Sequence, residues 1–106
     1  MKNLRFRYDK PLTKKQRLKV YGEALEYIQT NRTHGLCLLL VDLFYGVEHQ
    51  IGNIRDVLKF SDVEYIRHSK IMFPEFGVYM KKVNTLCLTH DERIEFLESA
   101  IKDLSE

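Results

Sequence analysis

Four histidines are the side chains in this sequence best suited to binding a metal ion. They are His34, His49, His68 and His90. No two of them show the His-x3–5-His spacing of zinc sites, and the two cysteines do not form a Cys-x2–4-Cys pair. We therefore interpret the histidines as surface or helix-cap residues, and we predict no metal site and no bound cofactor.

The two cysteines, Cys37 and Cys87, are the only thiols available as nucleophiles, and each lies between two leucines. Apolar surroundings raise the pKa of a thiol and so disfavour the reactive thiolate. We interpret both as buried, reduced packing residues, with a disulfide as the alternative. The sequence also contains no Gly-rich phosphate loop and no Gly-x-Ser-x-Gly motif. These observations favour a protein that is not an enzyme.

Asp42 directly follows the longest apolar run of the chain, Leu36 to Val41. A carboxylate in such a segment is costly to bury unless it has a partner. The interpretation we favour is a structural carboxylate bonded to Arg, Tyr or a backbone amide. The alternative is a polar anchor inside a ligand pocket, with Phe44 and Tyr45 beside it.

Basic residues are concentrated at the start of the chain. Residues 1–20 contain eight basic residues and one acid, which gives +7, whereas the remainder contains nine basic residues and fourteen acids, which gives −5. The candidate contacts to an anion or a nucleic acid are Arg5, Arg7, Lys10, Lys14, Lys15, Arg17 and Lys19. The aromatic residues among the first arginines could stack on bases. Alternatively, this segment packs as an edge strand or arm, or lies on the acidic body of its own chain.

Helix-capping motifs predict where the main helices begin. In a capping box, a Ser or Thr side chain caps a free backbone amide and a Glu or Gln three residues later reaches back. The three candidates are Thr13 with Gln16, Ser61 with Glu64, and Thr89 with Glu92. The first is followed by an amphipathic pattern that predicts a helix from about Lys14 to Thr30, and the last by apolar spacing typical of a C-terminal helix.

Between these helices the chain is harder to interpret. Residues 36–48 are apolar nearly all round, which predicts a buried central helix, with a buried strand over 36–41 as the alternative. A short helix is expected to end near Phe60. Pro74 and Gly77 interrupt the helical pattern, so we predict an extended loop or a short hairpin near residues 71–88.

The length of 106 residues is enough for one hydrophobic core. The sequence predicts a mainly α, compact four- or five-helix single domain at residues 13–106, preceded by a basic N-terminal arm at residues 1–12. The first ten residues have no apolar stretch typical of a secretory signal, and no apolar run approaches the roughly 20 residues that cross a bilayer. We predict a cytoplasmic protein that does not associate with membranes.

Three segments of this sequence resemble small phage and prophage proteins, and the resemblance covers most of the chain after Thr13. The segments are Gly35-Leu36-Cys37, Phe73-Pro74-Glu75-Phe76, and Asp91-Glu92-Arg93 leading to Phe96-Leu97-Glu98. The resemblance implies an origin in a mobile element and a protein that interferes with or serves a host process by binding. It implies no catalytic residue.

Three functions from different classes are compatible with these features. We favour a non-enzymatic binding protein that recognises a protein partner or a small anionic ligand, with homodimerisation compatible with this use. Its candidate pocket or partner contacts are Asp42, Tyr45, Phe73, Phe76 and Tyr79. The alternative is a nucleic-acid-binding protein that uses the basic arm and first helix. The third is a small hydrolase or transferase that uses Asp42 or a histidine.

Overall fold

The computed structural model describes residues 10–31, 35–45, 62–83 and 88–106. Within these ranges the chain contains five α-helices and no strand. They are α1 (Lys14–Thr30), α2 (Leu36–Tyr45), α3 (Asp62–Met72), α4 (Pro74–Val83) and α5 (His90–Ser105). The predicted mainly α class is confirmed. None of the described helices is both long and apolar enough to span a membrane.

The first and last helices begin at capping boxes, as predicted. The side-chain oxygen of Thr13 accepts a hydrogen bond of 3.2 Å from the Gln16 amide, and the Thr13 amide donates to the Gln16 side chain at 2.9 Å. Thr89 and Glu92 make the same pair of bonds at 3.1 and 2.8 Å. The remaining predicted box begins at Ser61, which lies outside the described residues. The short helix expected to end near Phe60 lies outside them too.

The apolar segment that begins at Leu36 forms the buried central helix α2. Leu39, Leu40 and Val41 are fully buried, and the Leu39 amide donates to the Gly35 carbonyl at 3.1 Å in the i to i−4 pattern of a helix. The helical interpretation is confirmed and the strand alternative is wrong. The described part of this helix ends at Tyr45; residues 46–48 of the predicted helix lie outside the described residues.

The expectation of a loop or hairpin near residues 71–88 is wrong for residues 71–72, which end helix α3, and for residues 74–83, which form helix α4. Proline disrupts the interior of a helix, but at the first helical position it has no amide bond to lose and its φ already suits a helix. Pro74 occupies that first position. Phe73 alone separates α3 from α4, and its carbonyl accepts from the Phe76 amide at 2.9 Å. Residues 84–87 are outside the described ranges.

Aromatic side chains from three helices and from the α3–α4 junction meet in the core. The Tyr21 ring of α1 lies 5.6 Å from the rings of Phe73 and Phe96, and the Phe76 ring lies 5.6 Å from that of Phe96. Leu12 is also buried, and its amide donates to the Met72 carbonyl at 3.1 Å. These contacts fix the start of α4 against α1 and α5, and so they set how α4 lies beside α5.

Candidate binding groove

Helices α4 and α5 enclose an open cavity of about 360 Å³, which is within the size range of ligand-binding clefts. Phe96 and Ala100, both buried and one helical turn apart on α5, line it with apolar surface. Val78 and Tyr79 contribute the apolar side of α4. We call this cavity the α4–α5 groove.

Val78 is the most unusual apolar residue of the groove, because 64% of its surface is exposed. Among the described residues it is the only large hydrophobic side chain with such exposure. Its neighbour Tyr79 is half-buried and packs on Phe96 with a centroid separation of 5.4 Å. The groove therefore combines aromatic rings that are held by core packing with an accessible aliphatic side chain at its edge.

The polar rims of the groove carry mostly negative charge. On α5, Glu95, Ser99 and Asp103 recur every four residues, so they lie along one side of that helix, and all three are exposed. On α4 the rim contains Glu75 in the first turn and Lys82 in the last. Three carboxylates and one ammonium thus border an apolar interior.

Tyr79 is influenced by Glu95 of the rim and by Glu92, which precedes Glu95 by three residues on α5. Partial burial raises the pKa of its phenol, and the negative charges of Glu95 and Glu92 raise it further. A tyrosine at its ordinary pKa of 10.0 is already protonated at neutral pH, so the phenol of Tyr79 is a hydrogen-bond donor there with or without this shift.

A polar network that the sequence analysis missed holds the start of α4 in place. Arg17 forms an ion pair with Oε2 of Glu75, and the Tyr21 hydroxyl donates to Oε1 of the same carboxylate at 2.7 Å. Burial raises the pKa of Tyr21 far above its usual value, and the hydrogen bond and charge of Glu75 raise it further. The four-residue spacing of Arg17 and Tyr21 shows that they share a helix face, but nothing local indicates a partner more than 50 residues away.

The structure leaves four of the predicted basic contacts exposed to solvent and buries most of a fifth. Lys10, Lys14, Lys15 and Lys19 are exposed, whereas Arg17 is mostly buried against Glu75 and is not available to an external anion. Two further candidates, Arg5 and Arg7, lie outside the described residues.

The predicted pocket residues are also separated by the structure. Asp42 is fully buried in α2, takes part in an electrostatic or hydrogen-bonding interaction, and does not line the α4–α5 groove. Phe73 and Phe76 are buried packing residues. Tyr45 is the last residue of α2, and its side chain is outside the described part of the chain. Tyr79 is the one predicted contact that borders the groove.

A second, smaller cavity of about 170 Å³ lies between α1 and α2. It is bordered by Lys19 and Glu23 on α1 and by the half-buried Leu43 and Phe44 on α2. Its volume is below the usual range of ligand sites, and its two charges are of opposite sign. We regard the α4–α5 groove as the better candidate.

Side chains that could bind a metal ion or act as a thiol nucleophile were sought in the described ranges. No cluster of three or more His, Cys, Asp or Glu residues suited to a metal ion occurs there. Cys37, predicted to be buried, is half-buried, and Cys87 lies outside these ranges. No protein-family model, curated protein or solved structure matched this chain.

Proposed function

We propose that this protein is a non-enzymatic binding module that holds an apolar segment of a protein partner in the α4–α5 groove. The observation that carries the proposal is the exposed Val78 side chain at the edge of a cavity lined by Phe96 and Tyr79. Apolar and aromatic side chains at the centre of a polar rim are the typical composition of a protein interface.

The charge of the rim favours a protein partner over a small anionic ligand. Glu95 and Asp103 would repel an anion that entered the groove, and Glu75 is already engaged by Arg17. Lys82 is the only cationic side chain among the residues that line the cavity. Of the two ligand classes predicted from the sequence, the protein partner is therefore the one that suits this groove.

The helix that forms one wall of the groove is long enough to lie along a short helical segment. Helix α4 has ten residues, so its length is about 15 Å at the rise of an α-helix. That length accommodates roughly three turns of a partner helix, which presents two or three apolar side chains on one face. The resemblance to phage and prophage proteins supports a host protein as the partner, encountered in the host cytoplasm.

A titration by NMR tests this proposal. The probe is a synthetic amphipathic helical peptide of about 16 residues with a Leu and Phe stripe and uncharged polar residues elsewhere. We expect amide shifts to concentrate at residues that line the groove, such as Val78 and Ala100, and to be lost in the Val78→Asp variant. Gln29→Asp, an exposed site on α1, introduces the same charge elsewhere and should leave binding unchanged. Absence of saturable shifts at the groove would overturn the proposal.

Nucleic-acid binding is a second candidate, supported by the exposure of four lysines at the start of the described chain. Lys10, Lys14, Lys15 and Lys19 can all reach phosphates in solvent, although α1 also exposes acidic residues farther along. Phosphate binding weakens steeply as salt rises, and removal of one phosphate contact should reduce the salt slope by about one. Fluorescence anisotropy with labelled DNA and RNA, on the wild type and Lys15→Gln, measures both effects. Failure of both nucleic acids to bind at low salt excludes this candidate.

A further inference from the structure

The α5 rim of the groove has a spacing that specifies what kind of segment can lie against it. We infer that the occupant is a basic amphipathic helix of a protein partner, with two cationic side chains about two turns apart that face Glu95 and Asp103. This inference rests on the proposed function and adds the charge, the spacing and the secondary structure of the partner segment.

The spacing follows from the geometry of α5. Glu95 and Asp103 are eight residues apart on one helix, which corresponds to about 12 Å along its axis. On a partner helix, residues seven or eight positions apart lie on one face at a matching distance. Apolar residues three or four positions after the first cation then fall between the two cations, where they can contact Val78 and Phe96.

The charges of the rim are available to a partner. Within the described ranges, no Lys or Arg forms an ion pair with Glu95 or Asp103, whereas Glu75 is paired with Arg17. Cations of the partner therefore gain a charge-assisted contact at two positions on the α5 side. Lys82 on the α4 side repels a cation there. The rim therefore favours a bound helix whose cations face α5 over one whose cations face α4.

A helix suits the groove better than an extended strand. The two walls are helices, and the described residues contain no strand whose edge could pair with an extended peptide. An extended occupant would bury backbone amides without partners, whereas a helix satisfies most of its backbone hydrogen bonds internally. Ridges of a third helix can also pack into the groove between two others.

Three synthetic peptides that differ only at the two charged positions test this inference with the full chain. They share the Leu and Phe stripe and carry Lys, Gln or Glu at both positions. We expect the Lys peptide to bind about fivefold more tightly than the Gln peptide at low salt, and the Glu peptide to bind most weakly, since exposed ion pairs contribute modestly. The difference should shrink at high salt.

A charge reversal on the protein provides the reciprocal test. The Glu95→Lys/Asp103→Lys variant should prefer the Glu peptide, because both rim charges change sign. Glu26→Lys/Glu98→Lys is the matched control, since it makes the same net change at two exposed residues that do not line the groove. It should keep the preference for the Lys peptide. Circular dichroism checks that both variants remain folded.

The outcomes separate this inference from the proposed function. Equal binding of all three peptides, lost in Val78→Asp, would overturn the basic partner and leave the groove as a binding site. Binding of none would overturn both. A preference for Lys that survives in Glu95→Lys/Asp103→Lys would place the charge contact elsewhere and overturn the inference. A dimer in native mass spectrometry that Val78→Asp dissociates would identify a second copy as the occupant instead.

Discussion

The hydroxyl of Tyr21 donates a 2.7 Å hydrogen bond to Oε1 of Glu75, which lies 54 residues later in the chain. Arg17, one turn earlier on α1, pairs with the other oxygen of that carboxylate. The Tyr21 ring also packs edge to face on Phe96, with an interplanar angle of 83°. One tyrosine thus connects α1 to the first turn of α4 and to α5, the two helices that form the groove.

We expect the protein to become less stable at alkaline pH, because the buried phenol of Tyr21 resists ionisation in the folded state. Burial, and then the hydrogen bond to Glu75, raise the pKa of Tyr21 above its ordinary value of 10.0. A phenol whose pKa is raised on folding stabilises the protein fully below the unfolded-state pKa, and this contribution is lost as the pH rises from there through the folded-state pKa. The free energy of unfolding of the wild type, measured by urea denaturation, should therefore fall as the pH rises above about 10.

The Tyr21→Phe variant is the control for this pH dependence. It lacks the ionisable group, so its free energy of unfolding should be lower than that of the wild type at neutral pH but should decline less as the solution becomes alkaline. A decline of equal size in both proteins would show that other groups cause the alkaline loss.

Replacement of Arg17 with methionine should destabilise the fold by about 1–3 kcal/mol, because it removes a charged hydrogen-bond donor from a carboxylate that is only partly exposed. Combining it with Glu75→Gln in a double-mutant cycle should show that the two effects are not additive. Lys15→Met, at an exposed position on the same helix, should change stability by less than about 0.5 kcal/mol. Additive effects of the Arg17 and Glu75 substitutions would contradict the ion pair.

Replacement of single leucines of the central helix α2 with alanine should show which of them are in the core. Leu40 is fully buried, so we expect Leu40→Ala to cost about 2–5 kcal/mol by thermal or urea denaturation. Leu38 lies on the same helix but is half-buried, and the identical substitution there should cost clearly less. A larger effect at Leu38 would mean that the helix is rotated from the orientation described.

Loss of the capping box at Thr89 should weaken α5. In Thr89→Ala the Glu92 amide loses its side-chain acceptor, which should lower the free energy of unfolding by about 1 kcal/mol. Ser99→Ala removes the same kind of hydroxyl from the exposed middle of this helix, where alanine has the higher helix propensity, and should not destabilise the protein. Equal losses from the two substitutions would argue against the cap.

Where interactions are local, the structure agrees with the prediction from the sequence. The limits of α1 follow from Thr13 and from the apolar pattern that continues to Thr30, and α2 follows from an apolar segment that only the centre of a fold can cover. At Pro74 the prediction is wrong, because a proline at the first position of a helix and a proline in a loop look alike in the sequence.

The candidate site was much less predictable. Their aromatic character and closeness in sequence predict Phe73, Phe76 and Tyr79 as contacts, yet only Tyr79 borders the groove, and the two phenylalanines are core residues. Val78 was not among the predicted contacts, since an isolated valine gives no sign of its exposure. The charge of Arg17 predicts an anion contact like those of the neighbouring lysines, although its neighbour in space is an acid of another helix.

The amino-acid sequence alone was sufficient for the helical class, the two capped helix starts and the burial of the segment containing Leu39 and Leu40. Those properties depend on bonds within a few residues and on apolar periodicity. The groove, the exposure of Val78 and the contact of Tyr21 with Glu75 depend instead on how α1, α4 and α5 pack together. Contacts between residues far apart in the chain leave no local pattern, and they exist only once the core has brought these helices side by side.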